Sequence, residues 1–262
     1  MNCKICGNNS SKIFKRQILL KYEIEYYQCN ACGFIQTEEP YWLPEAYQNA
    51  INVEDTGIAQ RNILSAKRTS ALICFLFEKS GRFVDWGGGS GLFVRLMRDY
   101  GFDFYWNDPY ADNIFARGFE HDRSKNLTIE LVTAFECFEH FANPLQEIER
   151  MLSLSRSLIF STVPFHSGTP NPDTWDYYGF IHGQHIAFYS LDSLRALAKK
   201  YELNFYSNEK SFHLLTYKRL NQTMYNFLLK LSLFGIPAIT SLLLGSKTES
   251  DIHITKQKRT IG

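Results

Sequence analysis

Apolar residues recur along the chain in two rhythms, helical spacing in the longer stretches and short runs or alternation between them, a mixture that predicts an α/β protein. Between Ile18 and Gln28 the positions Leu20, Tyr22, Ile24 and Tyr26 alternate with polar ones, which predicts a β-hairpin. Arg61 to Lys79 reads as a helix leading into Arg82-Phe83-Val84-Asp85-Trp86, a short apolar strand. Leu92, Phe93, Leu96 and Met97 share one side of a helix over Leu92 to Tyr100, and Phe102 to Trp106 reads as the next strand. Leu191, Leu194, Leu197 and Ala198 define a core-packing helix from Ser190 to Tyr201, followed by strands around Leu203 to Tyr206 and Phe212 to Tyr217. Met224 to Leu244 is strongly apolar, yet Asn226, Lys230 and Pro237 argue against a spanning helix. A pair of short helices fits better, packed on the domain, on a second subunit or against a membrane surface, with a loose polar tail from Lys247.

The stretch from Phe165 to Phe188 follows neither rhythm. It is long, rich in aromatics (Trp175, Tyr177, Tyr178, Phe180) and carries Pro170 and Pro172, so it reads as an insertion covering a substrate.

A chain of 262 residues is long enough for one full domain and a smaller module. Its 28 Lys and Arg against 27 Asp and Glu leave a net charge of +1, which disfavours non-specific nucleic-acid binding and general adhesion to anionic membranes. The 15% aromatic share excludes a disordered chain. No charged segment, apolar run and cleavage site open the sequence, so the expected location is cytoplasmic. In that reducing compartment, clustered cysteines are expected to be ligands.

Cys3 and Cys6 form one CxxC and Cys29 and Cys32 a second, each followed by a glycine, Gly7 or Gly33. Two such turns match a four-cysteine structural zinc site, and with the hairpin between them they read as a zinc ribbon over residues 1–45. The competing reading is four unrelated thiols. Four cysteines leave no open position, so the zinc is expected to be structural, and it would supply folding energy that so small a module lacks.

Gly87-Gly88-Gly89-Ser90-Gly91 joins the strand ending at Trp86 to the helix from Leu92. Such a turn lets backbone approach a ligand at a helix N-terminus. The spacing is GxGxG, not the GxGxxG of dinucleotide sites, and no phosphate-binding GxxxxGK[ST] is present. Asp85 stands two places before the first glycine, and Asp108 stands at the end of the next strand, where a carboxylate accepts from ribose hydroxyls. Asp108 also precedes Pro109, so a turn-forming role competes.

These residues resemble class I S-adenosylmethionine-dependent methyltransferases. Val84-Asp85-Trp86-Gly87-Gly88-Gly89-Ser90-Gly91 resembles their first motif, and Asn107-Asp108-Pro109 the acidic end of their second strand. Leu131 to Glu136, with Phe138-Glu139-His140-Phe141, resembles their fourth strand and the segment after it, and Leu158 to Pro164 their fifth. The resemblance implies a Rossmann-like methyltransferase sheet over residues 60–218, with 219–262 as a helical extension and tail. It also implies cofactor contacts at Asp85, Gly87, Gly89, Asp108 and Phe135. The usual helix and third strand after Asp108 must be short, since only about twenty residues separate it from the fourth strand.

Methyl transfer to a hydroxyl gains from a base, and His140, His182 and His185 are the candidates. For each, a satisfied polar group in a loop is the plainer role. The ribbon, this core and His182-x-x-His185-x-x-Phe188-Tyr189-Ser190 together resemble the sugar-modifying branch of the superfamily. That branch commonly has Glu where this chain has Gln184, and its further C-methylation domain has no counterpart here, which points to O-methylation. Asp173, Asp176 and Asp192 are read as turn residues and caps, not metal ligands. The leading expectation is an O-methyltransferase for a sugar nucleotide or another small precursor of a surface polysaccharide. The alternatives are an RNA methyltransferase that binds through its ribbon, and a non-enzymatic cofactor-binding protein.

Overall fold

The computed structural model describes residues 1–48, 55–125, 127–166 and 168–261. In chain order the elements begin with β1 (Ser10–Ile18), β2 (Tyr22–Cys29), β3 (Ile35–Thr37), α1 (Leu43–Ala46) and α2 (Ile58–Leu76). They continue with β4 (Arg82–Trp86), α3 (Leu92–Asp99), β5 (Asp103–Asn107), β6 (Ile129–Ala134), α4 (Pro144–Leu152) and β7 (Ser157–Ser161). The remainder comprises β8 (Ala187–Phe188), α5 (Leu191–Lys200), β9 (Asn204–Ser207), β10 (Phe212–Thr216), α6 (Gln222–Leu231), α7 (Ile236–Leu244) and α8 (Thr248–Ile261).

The chain divides into two compact units. One holds Met1–Asn52, Glu136–Arg156 and Phe160–Arg219, the other Val53–Phe135, Ser157–Ile159 and Leu220–Gly262.

In the first unit the hairpin of β1 and β2 is extended by β3 and then by β8 from the aromatic insertion, all antiparallel. Leu20 lies in the hairpin turn and not in an alternating strand; Leu19 and Leu20 both take positive φ (51° and 54°). The ribbon has little core of its own, and the insertion supplies one. Ile18, Ile24, Tyr26 and Ile35 are buried together with Phe165, Tyr178, Ile186 and Phe188.

In the second unit β4 runs parallel to β5 on one side and β6 on the other, with Val84 level with Tyr105 and Val132. The strand order of the six-stranded sheet is β5-β4-β6-β7-β10-β9, in which β9 and β10, whose residues belong to the first unit, are antiparallel. This is the expected Rossmann-like α/β architecture. After Asp108, the expected third strand is reduced to a single parallel bridge between Trp106 and Glu120.

The tail from Lys247, expected to be loose, is helical over Thr248–Ile261. A buried ion pair fixes it: the Arg98 guanidinium donates to both Asp251 oxygens at 2.8 Å, and Arg95 adds a third bond at 2.9 Å. Arg98 also reaches Asp103 at 2.8 Å and lies 3.8 Å over the Phe119 ring. The helix is mostly polar, so it lacks the apolar stripe that would have announced it. Asp251→Ala would strand a buried guanidinium, and a loss of about 3–5 kcal/mol is expected in urea unfolding.

Candidate functional site

Cys3 and Cys6 precede β1, Cys29 ends β2, and Cys32 sits in the turn before β3, so the hairpin brings both CxxC turns together. The four Sγ atoms lie within 4.8 Å of one another, with Cys3 to Cys32 at 3.7 Å and Cys6 to Cys29 at 3.4 Å. An ion with Zn–S bonds of ~2.3 Å in tetrahedral array spaces its sulfurs by about 3.8 Å, so the donor set fits zinc. Gly7 and Gly33 take φ of 75° and 74°, which closes each turn on its first cysteine. The amides aimed at sulfur belong to Ile5, which donates to Cys3, and to Ala31 and Cys32, which donate to Cys29, each at 3.4 Å.

The glycine turn lies in the second unit, between β4 and α3. The Asn107 carbonyl accepts from Gly87 and Gly88, and the Trp106 indole donates to the Gly89 carbonyl at 2.8 Å. A side-chain carbon at Gly88 would stand 2.6 Å from the Trp106 ring. At Gly89, φ is 51° and the position of a side chain is open to 4 Å, which leaves that face of the turn bare backbone. Asp108 performs the turn role weighed for it: one oxygen accepts from Tyr110 and Ala111, the other from Gly89 at 2.9 Å. Each oxygen has two lone pairs, so capacity for a ribose hydroxyl remains.

Asp85 is buried, and burial pushes its carboxyl up to about 7 despite a 2.6 Å hydrogen bond donated by Thr133; the nearby Asp108 carboxylate also raises it. Phe135 lies at an angle to Phe93, with ring centres 4.8 Å apart. Thr133 was not anticipated; its signal lay in β6, where it is a polar residue within an apolar strand.

The first unit gathers all three candidate histidines. The rings of His140 and His185 are 5.0 Å apart, and those of His182 and His185 are 4.7 Å apart. His185 Nδ1 lies 2.6 Å from the Tyr177 carbonyl, which can only accept, so the proton sits on Nδ1 and Nε2 keeps its lone pair. His140 Nδ1 is 2.9 Å from the Tyr47 hydroxyl and 3.2 Å from the Gln184 carbonyl. His182 Nδ1 accepts from the Gln184 amide at 3.1 Å. Burial and the neighbouring His182 push His140 down to about 4; burial and the other imidazoles push His185 well below the usual histidine range. Both imidazoles are therefore neutral at pH 7.

Gln184 is buried and braces the loop, its side chain donating to the Ala46 carbonyl at 2.8 Å. Glu139 and Tyr177 join the cluster without having been singled out. Tyr177 packs 4.9 Å from His185, and its hydroxyl meets Thr162 and the Val163 amide, each at 3.1 Å. A Glu139 oxygen and ring nitrogens of His140 and His185 lie within 4.8 Å of one another, a set that could also hold a divalent cation. The adjacency of Glu139 to His140 was the available signal. Asp173 pairs with Arg16 and Asp192 with Arg195 at the surface, apart from this cluster.

Solved structures are similar at low identity. TnmH is 15% identical with a TM-score of 0.48, over 68% of this chain and 62% of that one, so this chain spans about three-fifths of its length. A chain of the complex between the Haloferax volcanii Trm112 methyltransferase activator and the putative methyltransferase is 16% identical, with a TM-score of 0.48, over 67% and 98%. Magnesium protoporphyrin IX methyltransferase from Synechocystis PCC 6803, with bound SAH, is 14% identical with a TM-score of 0.39, over 67% and 94%. No curated protein sequence matches. A family model described as a methyltransferase domain matches residues 60–208, which take in the glycine turn, Asp108, Phe135 and all three histidines; the chain belongs to this methyltransferase family.

Proposed function

We propose that the protein is an O-methyltransferase that uses S-adenosylmethionine to methylate a hydroxyl of a sugar nucleotide or another small precursor of a surface polysaccharide, in the cytoplasm. The observation that carries this reading is the group of three histidines, two of them half-buried and neutral, set beside aromatic residues suited to a small polar acceptor. S-adenosylmethionine supplies an electrophilic methyl group on a sulfonium. With the cofactor bound, Nε2 of His185 or His140 would take the acceptor's hydroxyl proton, which readies the oxygen for the methyl group as sulfur leaves with the carbon–sulfur electron pair. Gly87, Gly89 and Asp108 hold the cofactor's methionine and ribose portions, Asp85 supports the turn, Phe135 adds apolar contact, and the zinc is structural. The net charge of +1 suits a small acceptor better than RNA.

Calorimetric titration tests the first half. Wild type should bind S-adenosylmethionine, and Gly89→Val, which puts a branched side chain on the bare turn at positive φ, should lose at least about tenfold in affinity. Transfer of labelled methyl to a panel of nucleotide-linked sugars and phosphorylated intermediates tests the second. Failure to bind the cofactor, or salt-sensitive methylation of RNA with none of the panel, would overturn the reading.

A further inference from the structure

From the apolar surface of α6 and α7 we infer that the protein docks peripherally on anionic lipid bilayers, whatever acceptor it methylates. In α7, Ile236, Pro237 and Thr240 are buried, whereas Ile239, Leu242 and Leu243, at i, i+3, i+4 spacing, are exposed. Leu242 is 85% exposed and Leu243 77%. The corner before α7 presents Leu233 and Phe234, the latter 76% exposed, and α6 adds Met224 and Phe227 on the side away from its buried Tyr225, Leu228 and Leu229. Large apolar side chains so concentrated on two consecutive helices mark an interaction site and not the scattered exposure of an ordinary surface.

Charge selects the occupant. The whole chain is nearly neutral, yet residues 220–247, which span both helices, contain Lys230 and Lys247 and neither Asp nor Glu. An apolar face on a segment whose only charged side chains are cations matches the boundary between acyl chains and anionic headgroups. A second copy meeting the same face would set like charges against each other. Among the described residues no single helix is long and apolar enough to cross a bilayer, and α6 and α7, ten and nine residues long, meet at a bend of 80°. A crossing helix needs about 20 residues. The pair therefore lies along the surface, with Phe234, Leu242 and Leu243 inserted.

The test is co-sedimentation of the full-length protein with vesicles of phosphatidylcholine alone and of phosphatidylcholine mixed equally with phosphatidylglycerol. Wild type should sediment with the mixed vesicles and at least about tenfold less with the neutral ones, and added salt should weaken the binding. Ile239→Ser/Leu242→Ser/Leu243→Ser should abolish binding to both. Lys230→Glu/Lys247→Glu should remove the preference for the anionic lipid. These side chains are exposed or partly exposed, and unchanged thermal unfolding checks that both variants fold. Wild type that stays in solution with anionic vesicles, or binding unaffected by the triple substitution, overturns the inference. So does a wild-type dimer in sedimentation equilibrium that the triple substitution dissociates, since the face then serves a second copy.

Discussion

Cys29→Ser is expected to unfold much more than the ribbon. A structural zinc in small modules contributes about 10–16 kcal/mol of apparent binding free energy at neutral pH, and replacing one thiolate with a hydroxyl forfeits much of it. In this protein the loss spreads, because the hairpin is continuous with β8 and shares its core with Phe165, Tyr178, Ile186 and Phe188. The loop bearing His182 and His185 is tied to the ribbon side by further bonds, among them Thr37 donating to the Ile186 carbonyl, the Trp42 indole to the Gly183 carbonyl, and the Gln184 side chain to the Ala46 carbonyl. Zinc content, thermal unfolding and turnover should therefore fall together, with turnover following the folded fraction. A Cys29→Ser protein that is stably folded, lacks zinc and is deficient only in chemistry would contradict a structural role.

The second large effect is expected at the histidines. Base catalysis is typically worth ~10²–10⁴-fold, so His185→Ala, or failing that His140→Ala, should lower kcat by that order while S-adenosylmethionine still binds. A residue that only positions the acceptor should chiefly raise KM. An unperturbed imidazole would place the acid limb of the rate profile near pH ~6.5. Burial moves it: with His140 held near about 4 and His185 also lowered, the rate should stay flat through neutral pH and fall only in more acidic solution. Stability follows the same sign. The unfolded chain takes up protons on these imidazoles below about 6.5 and the folded chain does not, so stability is lost as pH drops from there toward about 4. Added Mg²⁺ or Mn²⁺ should leave the rate unchanged if the histidines act as bases; an absolute requirement for either ion would instead assign Glu139, His140 and His185 to a cation. Wild-type kcat in all three alanine variants, at His140, His182 and His185, would refute base catalysis.

Glycine accounts for much of what was legible in advance. The run from Gly87 to Gly91 and the glycines after both CxxC turns announce backbone conformations that few other residues tolerate, and those conformations are local. The strands flanking the turn were legible for the same reason, since β4 and β5 are short apolar runs whose ends are set by neighbouring residues. Asp108 was ambiguous from its surroundings, and the structure shows why: the turn role is physically real, and it leaves lone pairs to spare.

What the sequence determined by itself was chemistry and local shape: four thiols at metal spacing, a strand, glycine turn and helix, three histidines and two short apolar helices. Tertiary structure decided which of these belong together. Residues distant along the chain set the grouping of ribbon with insertion, the neutral state of His140 and His185, the raised carboxyl of Asp85 and the ordering of α8 by Arg98. Burial and pairing depend on what surrounds a side chain in space, and no periodicity or spacing within one segment encodes the partner that another segment brings.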